Sequence, residues 1–386
     1  MRDARIERLL REHEELRSSG INLVASENSL SPRVRAALAS DLAGRYQAEG
    51  YGGSGHAREM VAADEGQPRA DYRAEHALDS PRSGNHSVRS SLAAFTSTGD
   101  AVAMLPFDAG GYPFGLEKFH RRRVAISADT RDLEIDVGGA VEAITREGAR
   151  LVFLGASFIP FPHPVAEMRR GLEAAGHDAI LVYDGSHVLG LIACGGFQDP
   201  LREGADILVG STHKTLFGPQ GGLVLTDSDE PAEALRKMLE LDLEAGIALV
   251  DNPHLNRIAA LGLALEEVLE NPSYGARVVE NARALAGALD RLGVPVRFRE
   301  RGYTASHQVL LDLDPAEAGR LCRDLEEAGI FVDAWGRMGT AEATHLGMGP
   351  REMEEAAALI AEVSGGRPGR ELRARAAELA RRFPRA

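Results

Sequence analysis

Lys214 lies in the polar run Gly210-Ser211-Thr212-His213-Lys214-Thr215, directly after an apolar run over residues 207–210 and before Gly218-Pro219-Gln220-Gly221-Gly222. A lysine amine so placed can attack a carbonyl and form a Schiff base. Asp184 closes a second apolar run, Ile180-Leu181-Val182-Tyr183. Ser83-Gly84-Asn85-His86-Ser87 precedes a helical pattern over 88–95, and backbone N–H groups at a helix start can cradle a phosphate. Each feature alone has a plain explanation: a lysine after a strand is a surface charge, an aspartate at a strand end caps a turn, and serine before a helix is an N-cap. One cofactor needs all three. Pyridoxal phosphate requires an amine for its aldehyde, an acid facing its pyridinium nitrogen and a cup for its phosphate. A carboxylate at the ring nitrogen favours the protonated ring, which then withdraws electrons from a carbanion.

These residues need a scaffold that brings several strand ends together. Apolar runs over 151–155, 179–184, 207–210 and 222–226 read as strands, with a helix over 165–175 between two of them. Strands alternating with helices predict an α/β fold with a largely parallel sheet covered on both faces, whose ligands sit at strand ends. Helices are expected over 2–17, 230–243, 255–269 and 273–292. Beyond Gly293, strands over 296–299 and 308–313 with helices over 315–328 and 350–363 predict a smaller α+β domain. Gly50-Tyr51-Gly52-Gly53-Ser54-Gly55 is too rich in glycine for a helix or central strand, and the highly charged stretch to Pro81 reads as loop and short helix. Val24-Ala25-Ser26-Glu27-Asn28 ends an apolar run in polar residues that could cap the next helix or line a site. Gly365-Gly366-Arg367-Pro368-Gly369 reads as a linker to an arginine-rich terminal helix, a solvated face with Glu371 and Glu378 among the arginines. The expected division is an N-terminal arm (1–50), a large cofactor domain (51–270), a small domain (271–366) and a terminal helix (367–386).

Composition narrows the setting. The 386 residues carry 44 Lys and Arg against 58 Asp and Glu, a formal charge of −14, which argues against a duplex nucleic-acid surface. Two cysteines far apart, Cys194 and Cys322, suggest no disulfide framework and a reduced, cytoplasmic setting. No stretch reads as a signal peptide or a membrane span. No metal is expected.

The motifs, in order along the chain, resemble the serine hydroxymethyltransferases, fold-type-I pyridoxal-phosphate enzymes that also include threonine-aldolase-like relatives. Val24-Ala25-Ser26-Glu27-Asn28 is similar to the family's N-terminal motif, and Arg45-Tyr46-Gln47-Ala48-Glu49-Gly50 to its tyrosine–alanine–glutamate–glycine segment, with Gln47 as an insertion. Asp184-Gly185-Ser186-His187-Val188-Leu189-Gly190-Leu191-Ile192 resembles the stretch with the pyridinium aspartate and a ring-contacting histidine. Thr212-His213-Lys214-Thr215-Leu216-Phe217-Gly218-Pro219-Gln220-Gly221-Gly222 is close to the lysine motif, and Arg337-Met338-Gly339-Thr340 resembles the motif whose arginine holds the substrate carboxylate.

The resemblance implies a mainly parallel seven-stranded sheet flanked by helices, with a smaller C-terminal α+β domain. It implies that Lys214 forms the Schiff base and Asp184 faces the ring nitrogen. His187 and Thr212 would contact the cofactor, Ser83, Gly84 and Asn85 its phosphate, and Ser157 and His213 its surroundings. Arg337 would pair with the amino-acid carboxylate, Ser26 would belong to the substrate site, and Glu49 would handle the proton of a β-hydroxyl. Tyr46 and Tyr51 would reach the site from a second subunit of a homodimer or higher homo-oligomer with shared active sites.

The departures bear on the reaction. In Ala109-Gly110-Gly111-Tyr112, Tyr112 stands where the family stacks a histidine on the cofactor ring. The tyrosine-rich loop near Tyr51 is shortened, and residues 245–253 replace a glycine-rich segment that cups the neighbouring subunit's phosphate. Between Ile330-Phe331-Val332 and Arg337 only Asp333-Ala334-Trp335-Gly336 remains, where folate-using members carry a longer insertion that helps hold the pterin. The expectation is a pyridoxal-phosphate aldolase or transaldolase that acts on the Cα–Cβ bond of serine- or threonine-type amino acids through a glycine quinonoid, with an aldehyde as partner substrate and without folate. The alternatives are a tetrahydrofolate-dependent serine hydroxymethyltransferase, other amino-acid chemistry of the same cofactor (α-methylserine hydroxymethyl transfer, transamination, racemisation), and a non-catalytic pyridoxal-binding protein.

Overall fold

Seven strands between residues 76 and 226 build one sheet: β1 (His76–Leu78), β2 (Ala101–Met104), β3 (Arg122–Ala125), β4 (Leu151–Leu154), β5 (Ile180–Asp184), β6 (Ile207–Ser211) and β7 (Gly222–Thr226). They belong to a computed structural model that describes residues 5–47, 50–241 and 246–385. The strand order is β1-β7-β6-β5-β4-β2-β3. β2 to β6 run parallel, and only β7 is antiparallel to its neighbours β1 and β6. Every residue of β2, β4, β6 and β7 is buried, as expected for strands covered on both faces. Val102, Met104, Leu151, Phe153, Val182, Ile207, Val209 and Val224 form one core beneath a layer of helices.

The expected strands at 151–155, 179–184, 207–210 and 222–226 appear within one residue of their predicted limits. Three further strands, β1, β2 and β3, lie outside the expected set. β3 is an edge strand whose Arg122 and Arg123 are exposed, so charge hides its character while blunting the edge. The stretch expected as loop and short helix is instead an 18-residue helix, Gly55–Tyr72. Pro68 inside it reads as a breaker, yet Ala57 and Val61 pack on Leu255 and Ile258, which supplies the stabilisation that the local sequence lacks.

The chain divides into two compact units, one running from Leu30 to Pro272 and holding the sheet, the other formed by the segment up to Ser29 with that from Ser273 onward. In the second unit Ile21–Asn22 pairs in parallel with Ile330–Phe331, and Arg337–Gly339 runs antiparallel to Gln308–Leu310. Helices Tyr274–Arg291, Pro315–Glu327 and Pro350–Ser364 pack around these strands. The strand expected over 296–299 is absent: Val296 makes a single bridge to Leu311, and Phe298, at φ 62°, turns the backbone into the short 3-10 helix Arg299–Arg301. Helix Asp229–Leu239 ends before Glu240, and the expected limit at 243 lies outside the described residues.

The terminal helix Gly369–Arg381 is more than a solvated face. Leu372, Ala376, Leu379 and Ala380 are buried in the core of their unit, and the arginines stand outward, Arg375 on Glu362 and Arg382 on Glu352 and Glu355. Helix Arg5–Ser18, in contrast, buries none of its residues. No helix among the described residues is long and apolar enough to cross a membrane.

Candidate active site

Strand order brings the carboxylate and the amine together. β5 and β6 are parallel neighbours with Asp184 opposite Val209, so Asp184 and the turn after Ser211 lie at the same edge of the sheet. Asp184 Oδ1 accepts the Ser186 N–H at 3.0 Å, and Gly185 N–H donates to the Val209 carbonyl at 2.7 Å. Hydroxyls then tie the two turns. Ser186 Oγ accepts from the Ser211 N–H at 3.0 Å and from Ser211 Oγ at 3.2 Å. Thr215 Oγ1 donates to the His187 carbonyl at 3.1 Å and accepts the Gly190 N–H at 3.0 Å. These hydroxyls lie outside the candidate set; their signal is a Ser or Thr in each turn, able to bond backbone groups.

The lysine turn is closed on itself. Thr212 is fully buried; its Oγ1 donates to the Pro219 carbonyl at 2.6 Å and its own carbonyl accepts the Gly218 N–H at 2.8 Å. Lys214 and His213 are half-buried. Burial, aided by the Lys214 charge, pushes the His213 imidazole down to about 4, and its Nδ1 is buried without a hydrogen-bond partner among the described residues. His213 therefore stays neutral at physiological pH. His187 is buried beside the same turn.

The helix start reaches this edge through topology. β1 is antiparallel to β7 and β7 to β6, so β1 and β6 point the same way and the chain leaves β1 at the edge where Asp184 and Lys214 lie. Helix Gly84–Phe95 begins there, with Ser83 as N-cap accepting the His86 N–H at 3.1 Å. A Cβ on Gly84 would lie 2.1 Å from Ser211 Oγ and 3.1 Å from both Ser186 Oγ and Ser211 N. Only glycine lets the helix start approach the Asp184 and Lys214 turns so closely.

Two further candidates close the ring of residues. Asn85 Nδ2 donates to Tyr112 Oη at 3.1 Å. Ser157 N–H donates to the Gly110 carbonyl at 2.8 Å, joining the loop after β4 to that of Tyr112. Beneath them, Gly155 adopts φ 98°, and a Cβ there would strike the Asp184 carbonyl at 2.1 Å. Its N–H donates to His163 Nδ1 at 3.1 Å; His163 is buried and pushed down to about 4 by burial alone. Gln198 holds His163 and Tyr183 in turn, accepting the His163 N–H and the Tyr183 hydroxyl at 2.8 Å each. This support shell has no local sequence signal, because it links residues up to 35 positions apart.

The remaining candidates fall elsewhere. Tyr46 and Tyr51 are exposed and stacked on each other, ring centroids 4.9 Å apart. Glu49 lies outside the described residues. Ser26 and Arg337 belong to the second unit. There, Gly339 N–H donates to the Leu23 carbonyl at 2.8 Å and His307 Nε2 bonds the Ala25 carbonyl at 3.0 Å, so the Ser26 turn is tied to the strand that bears Arg337. Arg337 Nε donates to Asp333 Oδ2 at 2.7 Å; Arg337 is buried and Asp333 partly so. A cavity of about 900 Å³ opens on another part of the sheet-bearing unit, lined by Arg58, Asp79, Arg236 and Asp251 among others. None of the described candidate residues lines it, and its size does not outweigh the convergence of amine, carboxylate and helix start.

That convergence fits pyridoxal phosphate. The Gly84 approach leaves the N–H groups of the helix start beside the strand ends, where a phosphate finds donors and a favourable dipole. Asp184 supplies an acid and Lys214 an amine from adjacent strands.

Known proteins agree. The family model for serine hydroxymethyltransferase matches residues 1–332. The chain is similar to the serine hydroxymethyltransferases of Methanothermobacter thermautotrophicus (38% identical, covering 93% of this chain and 89% of that one) and Methanopyrus kandleri (38%, 97% and 92%). Its fold is similar to that of an L-threonine transaldolase from Pseudomonas fluorescens solved in the internal aldimine state, with TM-score 0.87, 27% identity and coverage of 99% of this chain and 91% of that one. The chain therefore belongs to the serine hydroxymethyltransferase family and is a pyridoxal-phosphate-dependent enzyme that makes or breaks carbon–carbon bonds.

Proposed function

We propose that this enzyme is an aldolase or transaldolase of serine- or threonine-type β-hydroxy-α-amino acids that works without folate. The observation that carries the reading is the short connection of five residues, 332–336, between the strands Ile330–Phe331 and Arg337–Gly339, whose Asp333 is already engaged with Arg337. A pterin needs hydrogen-bond partners and a stacking surface to offset the cost of ordering it, and so short a turn provides few. The likeness to an L-threonine transaldolase over nearly the whole chain supports the same reading.

Pyridoxal phosphate, when bound, supplies an electron-withdrawing ring that stabilises negative charge on the substrate's α-carbon. The chain's residues do the rest. Lys214 provides the amine that holds the cofactor, and the Asp184 carboxylate keeps a proton on the ring nitrogen. The Ser83 hydroxyl and the N–H groups of Gly84 and Asn85 would hold the phosphate, and Tyr112 would offer the ring an aromatic face. Thr212, His187, neutral His213 and Ser157 would contact it. Arg337 takes the α-carboxylate, with Ser26 at the same end of the substrate, and Glu49 accepts the β-hydroxyl proton as the Cα–Cβ bond opens. Tyr46 and Tyr51, exposed on their own subunit, serve the site of the partner in a homodimer. We place the enzyme in the cytoplasm, with small amino acids and aldehydes as its substrates.

Transfer to tetrahydrofolate is the second reading, favoured by curated relatives named serine hydroxymethyltransferase at 36–38% identity. The test supplies holoenzyme with L-threonine or phenylserine and no folate, measures released aldehyde, and titrates tetrahydrofolate by calorimetry in the presence of glycine. Aldehyde release with no saturable folate binding at micromolar concentration is expected. Micromolar folate binding with strictly folate-dependent turnover of serine would reverse the order of the two readings.

A further inference from the structure

Asp333 has no role in the chemistry above, yet it is one of the most constrained acids of its unit. Its side chain is 13% exposed beside an Arg337 side chain that is 8% exposed. One oxygen, Oδ1, accepts the backbone N–H groups of Trp335 at 3.1 Å and Arg337 at 3.4 Å. The other, Oδ2, accepts Arg337 Nε at 2.7 Å. The carboxylate therefore does two separable things: Oδ1 closes the turn 333–337 and Oδ2 grips the guanidinium.

A guanidinium offers a carboxylate two bidentate edges, a side edge through Nε and an end edge through the two Nη atoms. Asp333 engages the side edge of Arg337 at Nε, with its other oxygen held by the backbone. A second carboxylate that takes both its oxygens to this group must use the end edge. The long arginine side chain is thereby held in one orientation before a ligand arrives, which removes part of the ordering cost of binding. We propose that Asp333 is a positioning residue for Arg337, fixing the guanidinium so that its end edge meets the α-carboxylate of the amino-acid substrate. This inference rests on the carboxylate role given to Arg337 in the proposed function.

Asp333→Asn separates the two jobs. The amide keeps an oxygen for the two backbone N–H groups, so the turn survives. Its nitrogen then faces Arg337 Nε, and two donors cannot bond. A flipped amide would give up two hydrogen bonds to save one. The expected result, on holoenzyme, is a rise of at least about tenfold in KM for the amino acid with little change in kcat, and a smaller fall in thermal midpoint than Asp333→Ala shows, since a hydrogen bond to a charged group is lost while the turn is kept. Glycine binding followed through the cofactor's absorbance should weaken by the same factor. An amino-alcohol analogue without the carboxylate, such as phenylserinol, should bind wild type and variant equally. Asp333→Ala should lose thermal stability as well as affinity.

Arg337→Ala run alongside tells the two possible failures apart. If Arg337→Ala raises KM while Asp333→Asn leaves KM and glycine affinity at wild-type values, Asp333 merely closes a turn and the proposal is overturned. If Arg337→Ala itself leaves KM unchanged, the carboxylate role of Arg337 falls, and the positioning role falls with it.

Discussion

The side-chain amide of Asn85, in the first turn of helix Gly84–Phe95, donates to the phenol oxygen of Tyr112 at 3.1 Å. The proposed phosphate cup and the proposed stacking ring are thus one hydrogen-bonded unit. The Tyr112 ring also leans on Phe114, 5.3 Å away, which packs on Phe153 of β4 at 5.1 Å. The anchored atom is the phenol oxygen, so the tyrosine brings an attachment that depends on its full length.

Removing either partner should loosen cofactor binding modestly. A partly exposed hydrogen bond contributes about 0.5–1.5 kcal/mol, so Asn85→Ala and Tyr112→Phe should each raise the dissociation constant of pyridoxal phosphate about two- to tenfold. Because the two groups share one bond, the double variant should be little worse than either single one. Fully additive losses in a cofactor titration would mean that the bond carries no coupling.

Asp184→Asn should leave the cofactor bound but suppress turnover by at least about two orders of magnitude, given the usual size of electrostatic and proton-transfer contributions. The amide can still accept the Ser186 N–H that Oδ1 now accepts at 3.0 Å, so the turn should persist and the melting temperature change little. Turnover near that of wild type would reduce Asp184 to a turn cap.

Gly84→Ala should push the helix start away from the ends of β5 and β6. The new methyl would sit 2.1 Å from Ser211 Oγ and 3.1 Å from the Ser211 backbone nitrogen. Overpacking of this kind costs about 1–3 kcal/mol, so both thermal midpoint and cofactor affinity should drop. Adding Ser211→Gly removes the nearest clash but not the backbone contact, and should restore part of each loss. A Gly84→Ala enzyme that binds cofactor normally would show that the close approach is not needed.

His163 makes stability depend on pH. Burial pushes its folded-state pKa from the ordinary 6.5 down to about 4. Between these values the unfolded chain binds a proton that the folded chain refuses, so stability is full above about 6.5 and is lost as pH falls toward 4. The slope is about 1.4 kcal/mol per pH unit for one such group, and His213 and His345, also near 4, act in the same direction. His163→Asn keeps an acceptor for the Gly155 N–H without a titrating ring. Urea unfolding between pH 4 and 6.5 should then show a slope smaller by about one proton. An unchanged slope would mean that His163 is protonated in the folded protein.

Much of this protein could be read from short windows of sequence. The runs that became β4, β5, β6 and β7 are continuous apolar segments bounded by turn residues, and such segments find their conformation from near neighbours. Lys214 and Asp184 follow two of these runs directly, so side-chain type and place at a strand end were enough to indicate the cofactor and the family. Other features depended on partners far along the chain. Helix Gly55–Tyr72 forms around Pro68 because Leu255 and Ile258 cover its Ala57 and Val61, and the terminal helix has a buried stripe because the core of its unit receives Leu372 and Leu379. Strand order set Asp184 beside the lysine turn, antiparallel β7 carried Gly84 to the same edge, and chain path joined Asn85 to Tyr112. Asp333 lay within the short segment already noted before Arg337, but which of its oxygens grips the guanidinium was a matter of turn geometry. Local side-chain chemistry fixes what a residue can do; which residue it does it with is decided when burial of the sheet and its helices brings distant backbone within hydrogen-bonding range.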